Sequence, residues 1–186
     1  MRRAFFSMYD GTMTDYAPIR VLGVGNVLTS DDGLGPTVIK HLEAKYTFPE
    51  AVEIIEVGTP GLDFTPYLAD AAVVIVLDAV RAKEPPGSVR VWRNEEMLKA
   101  PPVARTSPHE PGLREALMAT ELTDSSPDNI VLIGVIPETV EAGTFLSNAV
   151  QGAVSEVEAL VLKELKNLDV PAIPRSEPAE PDLWWL

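Results

Sequence analysis

The sequence predicts an α/β fold, a three-layer α/β/α sandwich around a mostly parallel, twisted sheet of about five strands. Three observations predict it. Short apolar runs alternate with segments of helical period along the chain. One run, Ala71 to Leu77, is continuously apolar and rich in Val and Ile, as a strand covered on both faces must be. At 186 residues, with 46% hydrophobic and 23% charged side chains, the chain is long enough for one core and short for two.

The elements follow in order. Ile19 to Val24 reads as the first strand, broken by Gly23 and Gly25. Pro36 suits a first helical turn, and Leu34, Val38, Leu42 and Tyr46 recur every four residues, which gives an amphipathic helix to about Lys45. Val52 to Val57 is a second strand, and Ala71 to Leu77 is central. Ser88 to Trp92 alternates Val89 and Val91 with polar residues after the Pro85-Pro86-Gly87 turn, which places it at an edge, where it can run antiparallel. Pro111 marks a helix start near Leu113, and Ile130 to Val135 is the last strand. From Ser147, the positions Val150, Val154, Val157, Val161, Leu165 and Leu168 keep one apolar stripe, so a long helix packs on the sheet. No internal repeat or low-complexity run divides the chain. The expected organisation is a flexible N-terminal tail over residues 1–18, a single α/β domain over 19–175 and an acidic, Pro-rich tail over 176–186 that closes on Trp184-Trp185-Leu186.

Composition narrows the partners. Fifteen basic residues against 28 acidic ones give a formal charge of -13, so a polyanion would be repelled; nucleic acid and anionic membrane are excluded as expected partners. No apolar run approaches the ~18 residues that cross a bilayer. Met1-Arg2-Arg3 loosely resembles a twin-arginine export signal, but the polar, acidic stretch after it lacks the apolar segment such a signal needs, and a cytoplasmic protein is expected. The absence of Cys removes disulfides, thiolate nucleophiles, iron-sulfur clusters and Cys-type zinc sites; any metal must use His and carboxylates.

In open α/β sheets ligands gather beyond the carboxyl ends of the strands, and three groups are delivered there. The loop from Gly25 to Gly33 carries Asp31 and Asp32 just before a helix, where either could alternatively act as a helix cap. The central apolar strand ends in Asp78, a carboxylate that burial penalises unless it is paired, binds a cation or caps the next turn. Ser107-Pro108-His109-Glu110 brings an imidazole before the Leu113 helix, although a lone His is more often structural. His41, beside Lys40 in the first helix, reads as solvated surface. Gly23 and Gly25 suggest a phosphate loop, but Leu28 stands where the dinucleotide fingerprint has its third glycine.

These pieces together resemble a family. Leu22-Gly23-Val24-Gly25-Asn26-Val27-Leu28 through Asp31-Asp32-Gly33-Leu34-Gly35 is similar to the opening motif of the nickel-iron hydrogenase maturation endopeptidases. Gly58-Thr59-Pro60-Gly61, Leu77-Asp78-Ala79, Ser107-Pro108-His109 and Gly134-Val135-Ile136-Pro137-Glu138 resemble, in order, that family's glycine-threonine loop, central strand end, histidine segment and last strand. The resemblance spans about Ile19 to Arg175 and leaves both tails outside. It implies an endopeptidase that cuts a C-terminal extension from the large-subunit precursor of a nickel-iron hydrogenase after nickel has been inserted. It also implies that Asp32, Asp78 and His109 contact the metal and carry catalysis; the first of these positions is Glu in some members of the family and Asp in others. The implied nickel is supplied by the precursor, with another divalent cation as the alternative occupant in the isolated protein. Asn26, Asp31, Gly58, Thr59 and Gly61 are then the residues expected to meet substrate, Asp31 alternatively standing behind Asp32 or capping the helix. Two other readings share the same three residues: a nickel-sensing chaperone that never cuts, and a general metal-dependent peptidase.

Overall fold

The computed structural model describes residues 18–60, 64–94, 96 and 112–186, together with the backbone of Phe5–Phe6 and Met13–Thr14, which form a short antiparallel ladder. Five strands make the main sheet: β1 (Ile19–Val24), β2 (Val52–Gly58), β3 (Val73–Ala79), β4 (Val89–Arg93) and β5 (Asn129–Val135). Their spatial order is β2-β1-β3-β5-β4, parallel except for β4, which runs antiparallel to β5 at the edge. Four helices of the described residues flank it: α1 (Leu34–Lys45), the short α2 (Thr65–Leu68), α3 (Leu113–Leu122) and α4 (Asn148–Asn167). The three-layer sandwich and the antiparallel edge strand are as the sequence predicts.

The sheet separates two apolar layers by strict alternation. Val73, Ile75 and Leu77 of β3 face α1 and α4, packing with Val38, Leu42, Val154, Val157 and Val161. Val74 and Val76 face the other way, toward Leu68, Leu113 and Leu117 of α2 and α3. Because successive side chains of a strand point to opposite faces, a strand covered on both must be apolar at every position, which is why this run shows no polar interruption until Asp78.

Three sequence expectations shift. The stripe on α4 holds through Leu165, but Leu168 is the C-cap and stands 36% exposed, because the helix ends before its last turn returns to the sheet. Tyr46 does not extend the α1 stripe; it leaves the helix in extended conformation and pairs with Pro174 in a two-residue antiparallel ladder with Ile173–Pro174. The chain after Ile173 is therefore bound to the domain for part of its length: the N–H groups of Arg175 and Ala179 donate to the carbonyls of Lys45 and Ala44. Trp184 lies beyond that segment, 66% exposed and edge-on to Trp185.

The order of strands creates the crevice. From β1 the chain passes through α1 to β2 on one side, then crosses to β3 on the other side of β1. The carboxyl ends of β1 and β3 thus diverge at a topological switch point, the place where such sheets bind ligands. Asp32 follows the first of these ends and Asp78 terminates the second.

Candidate active site

The turn after β1 is built around Gly25. Its φ of +131° is a conformation open to glycine, and a side chain there would overlap the carbonyl of Asp32. The turn closes on itself: the N–H of Asn26 donates to Asp32 Oδ2 at 2.8 Å, the Thr29 hydroxyl donates to the same oxygen at 3.3 Å, and Asn26 Oδ1 accepts from the N–H of Leu28 at 3.0 Å. A single turn of 3-10 helix, Ser30–Gly33, then leads into α1. Neither this turn nor α1 receives a side-chain cap at its N-cap residue, so Asp31 and Asp32 are not there as helix caps. Gly23 and Gly35 allow close packing: a Cβ on Gly23 would press on Ile39 and the carbonyl of Gly35, and one on Gly35 on the carbonyls of Val24 and Leu77, so glycine lets the start of α1 lie directly against the ends of β1 and β3.

Asp32 and Asp78 meet above those ends. Asp32 is 4% and Asp78 6% exposed. Burial raises the Asp32 carboxyl above its ordinary range, against the Asn26 N–H and Thr29 hydroxyl that favour its ionised form. Asp78 is raised well above that range, first by burial and then by the charge of Asp32, and the N–H of Ala79 opposes this. Two inward carboxylates that repel each other, with no salt bridge to either among the described residues, are an arrangement that a divalent cation or a shared proton relieves.

Asp31 is placed elsewhere. It is wholly buried and accepts four hydrogen bonds: from the N–H groups of Glu138 (2.8 Å), Thr139 (3.0 Å) and Ser147 (2.6 Å), and from the Ser147 hydroxyl (2.9 Å). Both carboxylate oxygens of Asp31 are thus turned to the loop after β5, away from the side on which Asp32 bonds to Asn26. Gly58 has φ +68° and its carbonyl accepts from the Gly25 N–H at 2.8 Å, while Thr59 is exposed beside it. His109 and Gly61 lie outside the described residues. Among the described residues no group of three or more His, Asp and Glu side chains is assembled as a metal site; the structure brings together the Asp32–Asp78 pair.

Sequence reasoning missed the loop 136–147. Its backbone joins the Asp32 turn through Ser30 N–H to the Gly143 carbonyl (2.8 Å), Gly143 N–H to the Leu28 carbonyl (3.0 Å) and Asp31 N–H to the Thr139 carbonyl (3.3 Å). Main-chain groups leave no residue signature, so the signals available were Asp31 itself and the Ser147 that starts α4. His41 also corrects the sequence reading: rather than solvated surface, its Nδ1 lies 3.0 Å from Glu158 Oε1 of α4, and Lys45 Nζ reaches the same carboxylate at 2.8 Å. Burial pushes the Glu158 carboxyl up, but the His41 and Lys45 contacts outweigh it and hold it below the ordinary range.

Residues 36–164 match the sequence model of the hydrogenase maturation proteases. The chain is 36% identical over 158 residues to the hydrogenase 2 maturation protease of Escherichia coli (strain K12), covering 84% of this chain and 96% of that one. It is 32% identical over 170 residues to the hydrogenase expression/formation protein HupM of Azotobacter chroococcum mcd 1, covering 90% and 81%. Among solved structures, the E. coli hydrogenase maturating endopeptidase HybD superposes with a TM-score of 0.77 at 36% identity, covering 86% of this chain and 98% of that one.

Proposed function

We propose that this chain, which belongs to the hydrogenase maturation protease family, removes a C-terminal peptide from the nickel-loaded large-subunit precursor of a nickel-iron hydrogenase and reads the bound nickel as its recognition element. Family membership makes it an endopeptidase, and no helix among the described residues is long and apolar enough to cross a membrane. Action in the cytoplasm, where precursors are made, is part of the proposal.

The observation that carries this reading is the Asp32–Asp78 pair, buried and mutually repelling at the switch point. Two carboxylates without thiolates are an incomplete donor set for tight metal capture, which suits a site that shares a nickel ion arriving on the substrate. His109 is proposed as the third contact. Another divalent cation, bound by the same residues in the isolated protein, would supply polarisation of the scissile carbonyl. Within the chain, Asp32 or Asp78, the latter raised well above its ordinary range, is suited to take the proton of a water that attacks the scissile carbonyl and to return it to the leaving amine as the peptide bond breaks. The Asn26 N–H and the Thr29 hydroxyl keep Asp32 oriented through Oδ2. Gly58 and Thr59, with Gly61, are proposed to receive the extended substrate backbone. Leu28 and Phe145, 57% and 71% exposed on the two joined loops, offer apolar surface for the precursor next to the cut.

Intact-mass analysis of a nickel-loaded precursor, beside a nickel-free precursor and a His109→Ala variant, tests the reading. Loss of a C-terminal peptide that requires both nickel and His109 is expected. Stable complex formation without cleavage would instead identify a nickel-sensing chaperone, and cleavage regardless of nickel a self-sufficient peptidase.

A further inference from the structure

We infer that Asp31 is a positioning residue for the Asp32 carboxylate, acting by pinning the loop 136–147 onto the turn that carries Asp32; this rests on the reading of Asp32 as a reacting group given above. The two acids are adjacent in sequence yet diverge completely. Asp32 turns to the Asn26 side of its own loop, and Asp31 turns away into the loop after β5. The divergence begins at Ser30, which holds φ +51°, a left-handed conformation that a non-glycine residue keeps when its surroundings over-determine it. Those surroundings belong to the same loop: the Ser30 N–H donates to the Gly143 carbonyl at 2.8 Å and its hydroxyl to the Glu141 carbonyl at 3.0 Å. Asp31 then fixes that loop at both ends, taking the N–H groups of Glu138 and Thr139 at its start and the N–H and hydroxyl of Ser147 at its finish.

Ser147 extends the arrangement into α4. Its Oγ accepts from the N–H of Val150 as the N-cap while donating to Asp31, so the Asp31 charge sits at the positive end of a 20-residue helix. Both of its oxygens are occupied by main-chain and hydroxyl donors, so Asp31 does not compete for whatever Asp32 faces. One buried carboxylate thus ties the ends of β1 and β5 and the start of α4 into a single frame around Asp32.

The test compares Asp31→Asn, Ser147→Ala and Ser147→Thr with the wild-type full chain, by cleavage of the nickel-loaded precursor and by amide hydrogen exchange. An amide at position 31 sets its own NH2 against main-chain donors, and the loop should loosen. The expected result is a fall in kcat of about ten- to a hundredfold with KM within about twofold, as for groups that orient a site from behind. The Asn26 amide, which reports on Asp32 Oδ2, should exchange faster in Asp31→Asn while the amides of β3 stay protected. Ser147→Ala should give the same changes in smaller measure and Ser147→Thr should restore them, which keeps the test decisive if Asp31→Asn does not fold. A lowered melting temperature with kcat and Asn26 protection unchanged would overturn the inference, as would a rise in KM at constant kcat. A wild-type chain that fails to cleave would overturn the functional reading instead, and the exchange of Asn26 would still decide the role of Asp31.

Discussion

Asp78 closes an otherwise apolar run and faces Asp32, so both burial and the charge of Asp32 disfavour its ionised form. Function and stability should therefore separate at this residue. Asp78→Asn keeps the shape, removes the ionisable group and is expected to slow precursor cleavage by about a hundredfold or more while raising stability by about 1–3 kcal/mol. Thermal melts and cleavage assays on the same preparation check both halves, and a variant that is both inactive and less stable would count against the site. The exposed residues nearby should behave in the opposite way. Phe145 stands 71% exposed on the loop joined to the Asp32 turn, so Phe145→Ser is expected to leave stability within about 0.5 kcal/mol and to raise KM without lowering kcat. Asp78 could be picked out in the sequence because a carboxylate closing an apolar run is chemically anomalous. The direction Asp31 takes could not, because its partners are main-chain N–H groups 107, 108 and 116 residues away.

Elements were legible where one face or two faces of burial impose a period. β3 is continuous because both of its faces are covered, β4 alternates because it is an edge, and α1 and α4 carry stripes because each packs on one side. What periodicity cannot show is the contact between elements distant in sequence, and the α1–α4 contact is the example. His41 and Lys45 converge on Glu158, which is 6% exposed, and the ion cluster exists because two helices separated by about a hundred residues lie side by side. Since the Glu158 carboxyl is held below its ordinary value of 4.5, the unfolded chain takes up that proton first as the medium is acidified. Its contribution to stability is thus present above about pH 4.5 and is lost as pH falls through the lower native value. Urea midpoints of wild type and Glu158→Gln should differ at neutral pH and converge in acid; a constant gap would argue that packing, not charge, sets the difference. At the other end of α1, Gly35→Val should cost about 1–3 kcal/mol and activity together, because the added side chain pushes the helix off the carbonyls of Val24 and Leu77.

On the scale of the whole molecule, the segment from Ile173 to Ala179 is tied to the carboxyl end of α1. The acidic, Pro-rich stretch reads as a tail because it lacks periodicity, yet Ile173 to Ala179 serves the carboxyl end of α1. The last carbonyls of a helix have no partners within it, and here they are supplied from the far end of the chain. The N–H groups of Arg175 and Ala179 take the carbonyls of Lys45 and Ala44, and Arg175 Nε donates to those of Glu43 (3.0 Å) and Tyr46 (3.1 Å). A guanidinium at this position also meets the negative end of the helix. Two truncations separate these contacts from the aromatic terminus. Removing residues 180–186 leaves every one of them in place, whereas removing 173–186 deletes them all together with the ladder to Tyr46–Thr47. The longer truncation should therefore be less stable than the shorter by about 2–4 kcal/mol, for several hydrogen bonds at roughly 1 kcal/mol each less the entropy of ordering the segment. Denaturant titration of the two proteins measures that difference directly. Equal midpoints would mean that the segment merely lies along α1, and a deficit already complete in the shorter truncation would move the stabilising contacts to Trp184 and Trp185. Because the Asp32 turn sits at the opposite end of α1, anchored by loop 136–147, the longer truncation should keep its kcat at temperatures where it remains folded.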